Sequence, residues 1–207
     1  MAEDERWDLF EESLKLLREG KFAECEVILR KLISIEPNAS SSWMALGRCQ
    51  LAQQKIADAE ASARRALDLD PKTAMNWNLM GCVMKAKTAF AEAEPYFRKA
   101  LELHPRDATS WGGLSTILLG LGKLDEAEAA ARKSTELNPS FFEGWVVLGT
   151  ICLKLGRVQE SEEALRKLVQ LSPNTPEAFD LLGMALSAQG KHDEAAAARA
   201  RAQTLRI

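Results

Sequence analysis

Two ladders of residues climb this chain at one fixed step. Pro37, Pro71, Pro105, Pro139 and Pro173 stand 34 residues apart. Trp43, Trp77, Trp111 and Trp145 keep the same step, and Phe179 takes the next place. A strict period of this length marks a supersecondary unit repeated in tandem, each copy burying its apolar face against its neighbours. The unit therefore decides the architecture.

Each unit resolves into two helices. Trp43, Leu46, Gly47 and Gln50 fall at i, i+3, i+4 and i+7, which is one face of a helix. The same offsets hold Trp77, Met80, Gly81 and Met84, then Trp111, Leu114, Ser115 and Leu118. They recur as Trp145, Leu148, Gly149 and Cys152, and as Phe179, Leu182, Gly183 and Leu186. Gly20, Gly122, Gly156 and Gly190 close this first helix, where a left-handed residue is needed. Gln54 and Thr88 stand at that place in two units, and those turns are expected to close differently. Four positions later comes an acid, Glu24, Asp58, Glu92, Glu126, Glu160 or Glu194, suited to the positive end of a second helix. Small and apolar residues such as Ala93, Phe97 and Ala100 give that helix its buried stripe, and the ladder proline marks its exit.

These residues resemble the tetratricopeptide repeat, whose signature is W-x2-L-G-x2-Y, then A-x3-F, then P. WMALGRCQ, AEASA and Pro71 match it, as do WNLMGCVM, AEPYF and Pro105. The aromatic residue of the eighth place is replaced by Gln50, Met84, Leu118, Cys152 and Leu186. The resemblance implies an all-α fold, a right-handed α-solenoid (superhelix) of stacked antiparallel helix pairs. It implies one domain over residues 1–207, with repeats at 6–39, 40–73, 74–107, 108–141, 142–175 and 176–207. The terminal units are expected to cap the array. Glu12 stands where leucine is expected, and Arg199 replaces Leu29, Ala63, Phe97, Ala131 and Leu165 on a face expected to meet water.

Composition excludes several functions. A net charge of −3 argues against a nucleic-acid partner, which calls for a basic domain. With 46% hydrophobic and 28% charged residues, the chain is too apolar for disorder. The acidic start MAEDERWDLF is no secretory signal, and no apolar run is long enough for a membrane span. Cys25, Cys49, Cys82 and Cys152 show no CxxC or zinc spacing, so free thiols in a reducing cytoplasm are expected. His104 lies at a helix exit, and His192 shares the slot of Phe22, Ile56, Phe90, Leu124 and Val158, where it is expected to pack between helices. Neither histidine belongs to a metal-ligand or nucleophile pattern, and no P-loop is present, so no enzyme, metal or cofactor is expected. Recurrent basic pairs, Arg30–Lys31, Arg64–Arg65, Arg98–Lys99, Arg132–Lys133 and Arg166–Lys167, suggest a positive stripe. Glu26, Glu60, Glu94, Glu128 and Glu162 lie four residues before each arginine, so solvated i, i+4 ion pairs are expected to neutralise it.

Function then falls to a surface. In tetratricopeptide repeat proteins the second face of each first helix lines a concave groove that receives partner peptides or helices. Carried over by position, the resemblance implies Met44, Ala45 and Arg48, then Asn78, Leu79 and Cys82. Gly112, Gly113 and Thr116 follow, then Val146, Val147 and Thr150, and finally Asp180, Leu181 and Met184. The family's carboxylate clamp needs Lys and Asn, then Asn, then Lys and Arg; units two to four offer Met44 and Arg48, Leu79, then Thr109 and Gly113. Its asparagine ladder would occupy Ala45, Leu79, Gly113, Val147 and Leu181, none of which is asparagine. What remains is a largely apolar groove for a partner's peptide or amphipathic helix, with Leu79, Val146, Val147 and Leu181 facing solvent and Arg48 and Asp180 as polar guides. Self-association through the same surface, as an assembly component, is the alternative. Gly112–Gly113 break helix propensity within this lining, and either open a dent between Leu79 and Val146–Val147 or tighten the curvature there.

Overall fold

The computed structural model describes residues 2–206, with side chains from residue 6 onward. The described residues form α-helices joined by short turns. The helices are α1 (Ala2–Arg18), α2 (Phe22–Ile35), α3 (Ser40–Ala52), α4 (Ile56–Leu69), α5 (Ala74–Ala86) and α6 (Phe90–Leu103). They continue as α7 (Ala108–Gly120), α8 (Leu124–Leu137), α9 (Phe142–Lys154), α10 (Val158–Leu171), α11 (Pro176–Ala188) and α12 (His192–Thr204). Two compact units divide the chain, Met1–Pro105 and Arg106–Ile207. In the first, α1 pairs with α2, α3 with α4 and α5 with α6; α2 packs on α3, α4 on α5, and α3 touches α5 directly. The second repeats this order, pairing α7 with α8, α9 with α10 and α11 with α12, while α7, α9 and α11 touch in succession.

One turn serves all six pairs. The residue at the closing position is left-handed in every case, with φ of 71° at Gly20, 75° at Gly122, 72° at Gly156 and 76° at Gly190. Gln54 at 60° and Thr88 at 58° adopt the same conformation, so their turns do not close differently as expected. The hydrogen bonds explain why. Lys55 N–H reaches back to Gln50 O at 2.9 Å and Ala89 N–H to Met84 O at 3.0 Å, as Gly-containing turns do with Lys123 to Leu118 and Arg157 to Cys152. These six-to-one bonds of the Schellman motif fix the exit path of the chain, and the side chain must tolerate it.

A second recurring bond ties the two ladders together. Trp43 Nε1–H donates to Pro37 O at 2.8 Å, Trp77 to Pro71 O at 2.7 Å and Trp145 to Pro139 O at 2.8 Å. The indole of a first helix thereby clasps the exit of the second helix before it. The lockstep of the ladders is one contact repeated.

The small residue after each Leu or Met lets the paired helix approach. A Cβ on Gly81 would lie 2.9 Å from Phe97 Cε2, and one on Gly149 would lie 2.6 Å from Leu165 Cγ. The slot of Phe97 and Leu165 therefore faces its own first helix. Arg199 follows the same rule. Its Cγ lies 3.1 Å from the Cβ position of Gly183 and its Nη2–H donates to Ser187 Oγ at 2.9 Å, so its stem packs on α11 while its head is exposed. His192, by contrast, is exposed rather than packed between helices, and no repeat follows it among the described residues to cover that side of the slot. Apolar cores close each unit, around Leu16, Cys25, Leu29, Leu46 and Cys49 in the first and around Leu165, Leu168, Ala178, Leu182 and Leu186 in the second.

Candidate functional site

The candidate face is carried by the first helices of the repeats. In the first unit Met44, Asn78 and Cys82 are half-buried, Ala45 and Leu79 are buried and Arg48 is exposed. Leu79 does not face solvent as expected. It is only 3% exposed, and its Cδ2 lies 2.8 Å from the Cβ position of Gly47, filling the gap left where Ala63 is small. In the second unit Gly112, Gly113 and Val147 are buried, Val147 at 5% exposure. Val146 and Leu181 are half-buried against the core of that unit, Thr116 and Thr150 are half-buried, and Met184 stands 54% exposed. Both threonine hydroxyls are bound to their own helix, Thr116 to Gly112 O at 3.0 Å and Thr150 to Val146 O at 2.7 Å. Asp180 is ion-paired with Arg206, so it is not the free polar guide that the sequence suggested.

Gly112 has a packing reason. A Cβ there would overlap Phe141 Cε1 and lie 3.2 Å from Ser134 Oγ. Phe141 occupies the residue before α9, where the other repeats carry Ala39, Thr73, Asp107 and Thr175. The large ring and the missing side chain compensate one another, and the space beside Gly112 is filled rather than open.

The glutamate–arginine pairs exist, but their setting differs from the expected solvated pairs. Glu26–Arg30, Glu60–Arg64, Glu94–Arg98, Glu128–Arg132 and Glu162–Arg166 close at 2.6–2.8 Å. The glutamate side chains are largely buried, Glu26 at 3% exposure, and most take a second cation from the following repeat. Lys55 reaches Glu26 at 2.8 Å, Lys87 reaches Glu60 at 2.9 Å and Lys191 reaches Glu162 at 2.7 Å, while Arg157 pairs with Glu128. Gln53 adds a bond to Glu26 at 2.9 Å and Gln189 one to Glu162 at 2.7 Å. The spacing of four shows only the partner on the same helix. The second partner has its own sequence signal in a third ladder, Lys21, Lys55, Lys123, Arg157 and Lys191, each just after a turn. Where Ala89 breaks that ladder, Lys87 supplies the charge from two residues earlier.

These contacts hold the carboxylates ionised. The Lys191 ammonium, with Arg166 and Gln189, lowers Glu162 to about 2 against the pull of burial. Glu60 is lowered by Arg64 and Lys87, and Glu128 by Arg157 and Arg132. Burial pushes the thiols of Cys25, Cys49 and Cys152 up, and all four cysteines are unbridged. Among the described residues no group of His, Cys, Asp and Glu is placed to hold a metal ion, and no helix is long and apolar enough to cross a membrane.

One cleft opens beside Arg48. Leu14, Leu17 and Arg18 of α1, Phe22 of α2, and Arg48 and Ala52 of α3 enclose about 580 Å³. The sequence pointed to Arg48 alone, because the first repeat is degenerate and its helix was not carried into the groove.

Residues 84–207 match the model of the cilia and flagella-associated protein 70 middle TPR-like domain, and residues 16–81 match a tetratricopeptide repeat model. No curated protein matches the chain in sequence. Among solved structures, PilW, described as a widely conserved type IV pilus biogenesis factor, superposes with a TM-score of 0.84 at 18% identity, over 96% of this chain and 92% of its own. PilF of Pseudomonas aeruginosa gives 0.81 at 20% identity, over 95% and 90%. YrrB, described as a TPR protein with an unusual peptide-binding site, gives 0.64 at 20% identity, over 86% and 91%. At these identities the likeness speaks for the fold. The family matches, the shared turn and the clasped proline–tryptophan ladders agree: the chain belongs to the tetratricopeptide repeat family.

Proposed function

We propose that this protein is a non-enzymatic scaffold whose six repeats act as one domain and hold a peptide or amphipathic helix of another protein on their first-helix faces. The family is one of protein-interaction modules, and YrrB, similar in fold, is described as binding peptide. The observation that carries the reading is the surface that packing leaves over. Met44, Val146 and Leu181 are only half-buried and Met184 is more exposed than buried, and all four belong to first helices. Apolar surface left on first helices, above all on the neighbouring α9 and α11, suits the apolar face of a partner helix. Unbridged cysteines suit a reducing compartment such as the cytoplasm.

Photo-cross-linking tests the face directly. A benzophenone side chain placed at Arg48 or Met184 should cross-link to another protein in lysate, whereas one at Asp68, exposed on α4, should not. Cross-links confined to Asp68 would sink the reading. Cross-links only between copies of this chain would turn it into self-association. Val147 is unsuitable for such tests, since its burial makes any large polar replacement a stability mutation.

A further inference from the structure

We propose that the α1–α3 cleft is a docking pocket for an acidic amphipathic segment of a partner protein, with an apolar side chain in the cleft and carboxylates on Arg18 and Arg48. This deepens the scaffold reading above and rests on it.

The cleft carries unspent positive charge. Most arginines hold internal partners: Arg30, Arg64, Arg132 and Arg166 bind glutamates of their own helix, Arg157 and Arg206 bind acids across helices, and Arg65 and Arg199 bind Asn38 and Ser187. Arg18, Arg48, Arg106 and Arg201 hold no ion pair or side-chain hydrogen bond among the described residues, and of these Arg18 and Arg48 are exposed side by side on the first and third helices. These two stand at one cleft, and no carboxylate lines it. The rest of its wall is Leu14, Leu17, Phe22 and Ala52.

The cleft follows from the local sequence. α3 packs directly on α5, whereas α1 and α3 leave about 580 Å³ between them, inside the ~300–1,000 Å³ range of ligand pockets. The slot that holds Arg48 carries Leu14 in the first repeat and Cys82 in the third, so the cation is set against an apolar neighbour rather than an acid. The slot of Arg18 carries Ala52 in the second repeat, which keeps that wall low and leaves both guanidinium groups open to the same mouth. An apolar floor between two unpaired cations selects a ligand with the opposite pattern, a Leu or Phe flanked by Asp or Glu. Arginine's fork favours carboxylates in particular, because it can donate two parallel hydrogen bonds to one group.

The probes are three short synthetic peptides sharing one pattern of Leu and Phe a helical turn apart. Their intervening residues are Asp and Glu, Asn and Gln, or Lys and Arg. Binding is read by fluorescence anisotropy at low and high salt. The acidic peptide should bind wild type about tenfold tighter than the neutral one, an advantage that shrinks as salt rises. Arg18→Ala/Arg48→Ala should abolish the preference while circular dichroism stays unchanged, since neither side chain supports the fold. Arg18→Lys/Arg48→Lys should keep part of it. Equal binding of the acidic and neutral peptides overturns the proposal and leaves the scaffold reading intact. A preference that survives the double alanine variant places the acidic contact elsewhere and overturns it too. Failure of every peptide overturns it, and the scaffold reading falls with it only if the cross-links from Arg48 and Met184 are also absent. A concentration-dependent dimer that the double alanine variant dissolves would make a second copy the occupant, again against the proposal.

Discussion

At the scale of single residues, two positions carry costs that the repeat imposes. Thr88 is a β-branched residue held at φ 58°, where an L side chain crowds the following carbonyl at about 1–2 kcal/mol. Its hydroxyl gains a bond to Lys87 O at 2.6 Å, which recovers little of that. Thr88→Gly should therefore raise stability by about 0.5–1 kcal/mol, after the greater freedom of glycine in the unfolded chain is subtracted. Urea unfolding checks the sign, and a lowered midpoint would mean that the Thr88 side chain holds the turn. Gly112 carries the opposite case. Alanine would gain about 1 kcal/mol in helix propensity, but the added Cβ collides with Phe141, and overpacking costs about 1–3 kcal/mol. Gly112→Ala alone should destabilise by about 1 kcal/mol, and in a Phe141→Ala background it should stabilise. If the sign does not reverse, the ring is not what the glycine serves.

At the scale of the element, the helix pair was almost wholly legible in the sequence, because its determinants repeat at one step. The tryptophan face, the closing turn and the first-turn acids are local, and each recurs often enough to be read. Two kinds of feature were not legible. Gln54 and Thr88 obey the turn's hydrogen bonds against their own preference, which residue type cannot reveal. Leu79 and Val147 are buried, Leu79 against Gly47 of the preceding repeat, and the Phe141 ring lies against Gly112, so a position's place on a helical wheel did not tell lining from packing. The tryptophan–proline clasp shows what one missing atom does to an element. Phe179 lacks the indole N–H, leaving the sixth repeat without this bond. It lines a cleft with Val169, Leu182 and Leu186, where a larger ring has room. Phe179→Trp should add the clasp to Pro173 O and stabilise by up to about 1 kcal/mol. Trp77→Phe should cost a similar amount while keeping most of the ring's contact with Tyr96, at 6.0 Å between centroids. Thermal midpoints of the two variants moving the same way would refute the shared role.

At the scale of the whole molecule, consecutive repeats are joined by charge as well as by apolar packing. Glu26, Glu60, Glu128 and Glu162 each lie on a second helix and take a cation from the repeat that follows, so their ionisation couples neighbours within each unit. The sequence showed both partners but not their pairing, since a separation of 27 or 29 residues means nothing until the repeats are stacked. A lowered carboxylate contributes stability above its ordinary value, near 4.5, and loses it as pH falls toward the folded value, about 2 for Glu162. Glu26, Glu60 and Glu128 shift in the same direction, so the losses fall in one window and add across both units. Stability to urea should be level near neutrality and drop steeply between about pH 4.5 and 2. Glu162→Gln separates this ladder from general acid unfolding. Glutamine keeps the shape but loses the charge that draws Lys191 and Arg166 at 2.7 Å, so near neutrality the variant should be weaker by about 2 kcal/mol. As pH falls the wild-type carboxylate is protonated and the two proteins should converge. A difference that stays constant from pH 7 to 2 would mean that Glu162 acts by shape and hydrogen bonding alone, and that charge does not couple the last two repeats.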